Sequence, residues 1–214
     1  MRITSIERQS RRRRANIYVE GHFALSLDLQ TLADSGLVSG DEVDEKRLDD
    51  LRRADTRQGA MRSALRLLAY RPRSEGEIRS RLRRKGVTPD VIEATVEDLR
   101  RSALLDDAAF AATWVERRNQ TSPRGRRLLE MELRRHGIDQ APAREASEVV
   151  DESEAAYRAG QKRTRSLQKD DPVRFQRRLA EYLQRRGFGY EVIKGVVKHL
   201  LDEREGREAD DNEQ

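Results

Sequence analysis

Three short stretches of the chain carry closely spaced basic residues, and each ends on glycine. Arg83, Arg84 and Lys85 precede Gly86; Arg134, Arg135 and His136 precede Gly137; Arg185 and Arg186 precede Gly187. Arg124, Arg126 and Arg127 stand ahead of the second stretch, and Arg177 and Arg178 ahead of the third. Guanidinium groups present N–H donors in a planar fork that matches phosphate oxygens, so a recurring set suits a phosphate backbone. A cation in the last turn of a helix also complements the helix dipole and needs no partner. Any one of these arginines can therefore be an ordinary solvated residue, while their recurrence favours a contact role for the set. A fourth run, Arg11, Arg12, Arg13 and Arg14, is a weaker candidate for the same role.

Other chemistry is sparse. The chain has no cysteine, which excludes disulfides, thiolate metal sites and cysteine nucleophiles. His22, His136 and His199 lack metal-ligand spacing, and His136 stands where the other stretches have Lys85 and Arg186, so it reads as a surface base. No P-loop, dinucleotide fingerprint or nucleophile elbow occurs. The Asp106–Asp107 pair supports a nuclease reading only weakly, because it falls where a helix should start and reads as a cap. Aromatic residues make up 5% of the chain, so a base-stacking platform is not expected. The expectation is a protein that is not an enzyme and holds no cofactor or metal.

The basic stretches sit on a repeated scaffold. Leu82 four residues before Gly86 returns as Leu133 before Gly137 and Leu183 before Gly187, at intervals of about 50 residues. Four residues before each leucine stands another aliphatic, Ile78, Leu129 or Leu179. A second apolar pattern follows each glycine: Val91, Ile92, Val96 and Leu99, then a weaker Ala143, Val149 and Val150, then Val192, Ile193, Val197 and Leu200. A leading helix precedes each unit, carried by Met61, Ala64, Leu65 and Leu68, by Phe110, Trp114 and Val115, and less clearly by Tyr157. Each unit thus holds three helices. Ser74 and Glu77 fit a capping box, and Thr88–Pro89, Ser122–Pro123 and Asp171–Pro172 place a cap before a proline. The glycines fit helix C-caps, and the leucines and isoleucine before them are core.

Ahead of the repeats, Ile17, Val19, Phe23, Leu25 and Leu27 flank Glu20–Gly21 as a short hairpin, with the Arg11–Arg14 run at its far end. Asp28–Ser35 and Asp44–Ala54 read as short helices. The expected divisions are a cap over 1–56, repeats over 57–103, 104–151 and 152–202, and a disordered acidic tail over 203–214. The fold class is mainly α, with three tandem three-helix repeats after a small β-hairpin. Charged residues reach 39% against 36% hydrophobic, a balance that suits small units or an extended array better than one large core. The net charge of +5 points to a polyanionic partner, nucleic acid first. No apolar run is long enough to span a bilayer, and the first residues lack a signal-peptide apolar core, so a soluble cytoplasmic protein is expected.

In order and spacing these motifs resemble the RecX family, regulators of the bacterial RecA recombinase. The resemblance rests on the opening I-T-S-I-E with the hairpin over 16–27, on R-S-E-G-E-I-R-S-R-L-R-R-K-G from Arg73 to Gly86, and on L-L-D-D-A-A-F-A-A-T-W-V-E-R-R from Leu104 to Arg118. P-R-G-R-R-L-L-E-M-E-L-R-R-H-G-I follows the last of these, and L-Q-R-R-G-F fits in the third repeat. It covers about residues 2–201; the Arg11–Arg14 run and the acidic end depart from it. The resemblance implies three three-helix repeats in an elongated, curved array and no enzymatic activity. It also implies binding to RecA, free and as nucleoprotein filament, with inhibition of ATPase, coprotease and strand-exchange functions, together with non-specific DNA binding by a monomer. The alternative is a stand-alone DNA-binding protein or transcription regulator, with 73–87 and 88–101 as a helix-turn-helix.

Overall fold

The computed structural model describes residues 1–212, with side chains described through Gly206. Strands β1 (Ile3–Arg8), β2 (Arg14–Val19) and β3 (His22–Asp28) precede the helices. These are α1 (Leu29–Ser35), α2 (Glu45–Tyr70), α3 (Glu75–Arg83), α4 (Pro89–Arg101), α5 (Asp107–Thr121), α6 (Arg126–Arg135), α7 (Gln140–Glu148), α8 (Glu152–Thr164), α9 (Pro172–Arg185) and α10 (Tyr190–Asn212). From the second half of α2 onward the helices fall into three successive groups of three. Two compact units emerge: Met1–Arg73 with Ile78–Leu104, and Ser74–Glu77 with Leu105 onward.

In the first unit an antiparallel sheet of order β1-β2-β3 buries Ile3, Ala15, Ile17, Val19, Leu25 and Leu27. Val43, Leu48 and Leu51 complete that core. Glu20 and Gly21, both at positive φ, make the tight turn between β2 and β3. The sheet has one strand more than the expected hairpin. Strand β1 escaped the alternation test because its register shifts between Ile3 and Ser5, so its apolar residues Ile3 and Ile6 fall out of step.

Helix α2 is continuous where the sequence reading separates 44–54 from a helix around 61–68, so the expected boundary at 56/57 lies inside it. The polar stretch that looked like a gap ties the helix to the sheet. Asp55 accepts from the Asp28 N–H at 2.7 Å and the Thr31 hydroxyl at 3.1 Å, and pairs with Arg14 at 2.8 Å. Arg62 reaches Asp28 at 2.6 Å. Ala64 is fully buried as expected, but Leu65, also expected in the core, is exposed, and Ala60 and Ser63 are buried instead. Ile78 and Leu82 of α3 are fully buried, as are Thr95, Val96 and Leu99 of α4 to within 1%.

The second unit packs α5–α10 around Leu129, Leu133, Phe175, Leu179 and Leu183, each fully buried. Asp171 caps α9 ahead of Pro172, as expected. Ser122–Pro123 behaves otherwise: Ser122 closes α5, and α6 begins later with Gly125 at its cap. The acidic end is also different. Helix α10 continues through Asn212 rather than losing order at 203. Glu203 accepts from the Tyr157 hydroxyl at 2.8 Å, and Arg204 donates to the Asp170 carbonyl at 2.8 Å while lying over the Phe175 ring. High charge alone predicts disorder, but these side chains have partners on α8 and ahead of α9. Glu213 and Gln214 lie outside the described residues.

Candidate functional site

The three basic stretches end their helices in one shared geometry. The N–H of Val87, Ile138 and Phe188 returns to the carbonyl of Leu82, Leu133 and Leu183 at 3.2, 3.1 and 3.4 Å, and each glycine N–H bonds the carbonyl three residues back. That pair of bonds needs a left-handed residue between them, and Gly86, Gly137 and Gly187 have φ of 76°, 82° and 84°. The side chains of the last turn are thereby presented at equivalent positions on α3, α6 and α9.

Two of these ends are also covered. The Ser74 hydroxyl donates to the His136 carbonyl, and the Glu75 N–H donates to Asp107 at 2.8 Å. A Cβ on Gly76 would stand 2.6 Å from the Gly137 Cα. At the next end the Gly125 N–H donates to the Arg186 carbonyl at 2.9 Å, and a Cβ on Gly125 would overlap the Gly187 carbonyl. Two backbones thus meet twice in the same manner, each time with glycine on both sides. Gly86 has open space around its Cβ position.

The covered ends sort the arginines. Arg186 donates to the Ser122 hydroxyl at 3.0 Å and the Pro123 carbonyl at 3.1 Å, and lies 4.7 Å over the Tyr182 ring. Arg126 donates from two nitrogens to the Val150 carbonyl. Arg178 pairs with Asp170 at 2.7 Å. Arg124 pairs with Glu132, a carboxylate only 8% exposed, which also receives Arg118 at 3.0 Å and the Trp114 indole N–H at 3.2 Å. Burial, reinforced by Arg118 and Arg186, pushes the Arg124 guanidinium below the usual arginine range. Arg14 is held by Asp55 and Ser26, and Lys85 by the Ser63 hydroxyl. These six residues hold the fold together.

The others face solvent. Arg83, Arg84, Arg127, Arg134, Arg177 and the β1–β2 connection residues Arg11, Arg12 and Arg13 are exposed and make no ion pair among the described residues. Arg135 donates to the Met131 sulfur at 3.7 Å, and Arg185 lies 4.0 Å from Glu181. Arg127 and Arg185 border one groove of about 870 Å³ among α6, α9 and α10. Tyr190 borders it too, 74% exposed. Sequence reasoning missed Tyr190, because it opens α10 at a place where the other repeats have Pro89 and Gln140.

The remaining candidates are structural. Asp106 caps α5 through the Ala109 N–H at 2.9 Å, and Asp107 receives Glu75. His136 is no surface base: its ring lies 4.3 Å from Trp114, with Nδ1 3.2 Å from Glu77. Ser74 accepts from the Glu77 N–H at 3.1 Å, the forward half of the capping box. Among the described residues no cluster of three or more His, Asp or Glu side chains could hold a metal, and no helix is long and apolar enough to cross a membrane.

Four family profiles match the chain in order. They are the Regulatory protein RecX N-terminal domain over 1–44 and the first, second and third three-helix domains of RecX over 60–99, 106–146 and 151–197. Regulatory protein RecX of Geobacillus thermodenitrificans is 35% identical over 184 residues, covering 83% of this chain and 67% of that protein. Its counterpart from Bacillus licheniformis is 31% identical over 200 residues, covering 92% and 76%. A crystal structure titled as regulatory protein RecX matches with a TM-score of 0.69 at 28% identity, over 91% of this chain and 98% of that one.

Proposed function

Since the chain belongs to the RecX family of regulatory proteins, we propose that it regulates the RecA recombinase. In this reading it binds RecA and the RecA–DNA filament as a monomer in the cytoplasm, uses no cofactor, catalyses nothing, and suppresses ATP hydrolysis, coprotease activity and strand exchange. The observation that carries the reading is the recurrence of solvent-facing arginines on equivalent last turns in a member of this family: Arg83 and Arg84, Arg134 and Arg135, and Arg185. Such a series suits a partner that is itself repetitive and negatively charged. Arg11, Arg12, Arg13, Arg127 and Arg177 add to the basic surface and favour non-specific attraction to DNA.

The test is RecA-dependent ATP hydrolysis on single-stranded DNA with the protein added below stoichiometry. Hydrolysis and strand exchange both fall in this account. Rates unchanged across protein ratios contradict it.

A further inference from the structure

The groove among α6, α9 and α10 combines features that the repeat architecture does not require. Arg127, Arg185 and the Tyr190 ring border it, and all three are exposed. No aromatic or cationic partner covers that ring among the described residues. Met131 and Phe188 supply apolar lining. A Cβ on Gly189 would meet nothing within 4 Å, so the backbone beside Tyr190 is open to close approach. The two carboxylates of the groove are already engaged: Glu130 accepts from the Ser147 hydroxyl at 3.2 Å and Glu152 from the Arg126 N–H at 2.9 Å. The available charge is therefore positive.

An exposed ring and two exposed guanidinium groups bordering one groove with apolar lining suit a base joined to its phosphates. Stacking on an aromatic side chain needs an unpaired base, whose face is free. We infer that this groove holds a nucleotide of a single-stranded nucleic acid, its base against Tyr190 and its flanking phosphates at Arg127 and Arg185. The groove is small enough for a few unpaired nucleotides and lies within the size range of small-ligand sites. This inference deepens the DNA-binding part of the proposed function and rests on it.

The test is fluorescence anisotropy of the full chain with a labelled oligothymidylate of about twenty nucleotides, and with a duplex of the same length. Tyr190→Ala weakens single-strand binding by about 5- to 100-fold, Tyr190→Phe stays within about twofold, and duplex binding by either stays within about twofold. Arg127→Gln with Arg185→Gln weakens single-strand binding and lowers its salt slope by about 0.7 per lost phosphate contact. Unchanged melting of Tyr190→Ala excludes misfolding. Single-strand binding untouched by Tyr190→Ala overturns the inference, as does equal loss on the duplex, or a wild-type protein that does not bind the oligonucleotide. Variants that keep the oligonucleotide but no longer restrain RecA assign the groove to a protein partner and also overturn it. RecA hydrolysis measured beside the wild-type protein reports separately on the proposed function.

Discussion

The same residue type plays two roles here, and partners decide which. Arg124 and Arg118 converge on Glu132, while Arg134 and Arg135 on the same helix as Glu132 point to water. Removing a buried carboxylate leaves its cations without a counterion, and that residual charge dominates the cost. Arg124 and Arg118 keep a quarter to a third of their exposure, which tempers it. Glu132→Ala is expected to cost about 2–3 kcal/mol in urea denaturation, against less than about 0.5 kcal/mol for Arg134→Ala. Asp28 supplies a pH test. Burial raises its carboxyl, but the Gln30 N–H and the Arg62 guanidinium outweigh burial and hold it below the ordinary aspartate value. A depressed folded value means that its stabilisation is complete above the unfolded value, near pH 4, and is lost as pH falls through the folded value. Asp28→Asn keeps a competent cap for the Gln30 N–H and removes the charge together with the acceptor that Arg62 uses. Wild type should therefore exceed this variant in stability near pH 6, and the gap should narrow as pH falls, as followed by thermal melts; a gap that does not narrow in acid contradicts the assignment. None of this sorting is legible in sequence, because Arg186 meets Ser122, and Arg126 meets Val150, across separations that no local pattern encodes.

At the scale of elements, helix ends were largely legible locally, Ser122–Pro123 being the exception because Ser122 closes α5 and Gly125 opens α6. The leucine-to-glycine spacing implies a helix ended by a left-handed residue, and all three ends have that form. The middle of α2 could not be read, since its polar residues are tertiary ties, and β1 could not, since a register shift breaks its period. The glycine ends permit a controlled comparison. Gly86→Ala meets only the strained backbone and should cost about 1 kcal/mol. Gly137→Ala meets the same strain plus the Gly76 backbone and should cost about 2–3 kcal/mol, so the difference in urea midpoints measures the close packing. Equal costs would show that the glycine-to-glycine approach contributes nothing. Helix α4 ends in the same two-bond form, but Ala103 occupies the left-handed position at φ 53°. Ala103→Gly should raise stability by up to about 1 kcal/mol, because that conformation disfavours a Cβ.

For the whole molecule, the repeat period and the basic character were accessible from residue order, whereas the helix count was one too high because α2 is continuous, and the division of the arginines between internal partners and solvent was not accessible. Sixteen arginine and lysine candidates reduce to ten that face solvent once the structural partners are assigned. The proposed function therefore depends on charge at defined helix ends rather than on net charge alone. Reversing Arg83, Arg84, Arg134 and Arg135 to Glu should leave folding within about 0.5 kcal/mol per site of wild type, since these side chains lie off the Ile78–Leu82 and Leu129–Leu133 core faces. The most direct measurement is the rate of RecA-dependent ATP hydrolysis on single-stranded DNA, titrated with the wild-type protein and with this four-site variant. The account predicts inhibition by wild type below stoichiometry and inhibition only at much higher concentration by the folded variant. Equal inhibition by both would contradict the role given to these arginines, and no inhibition by wild type would contradict the account at its centre.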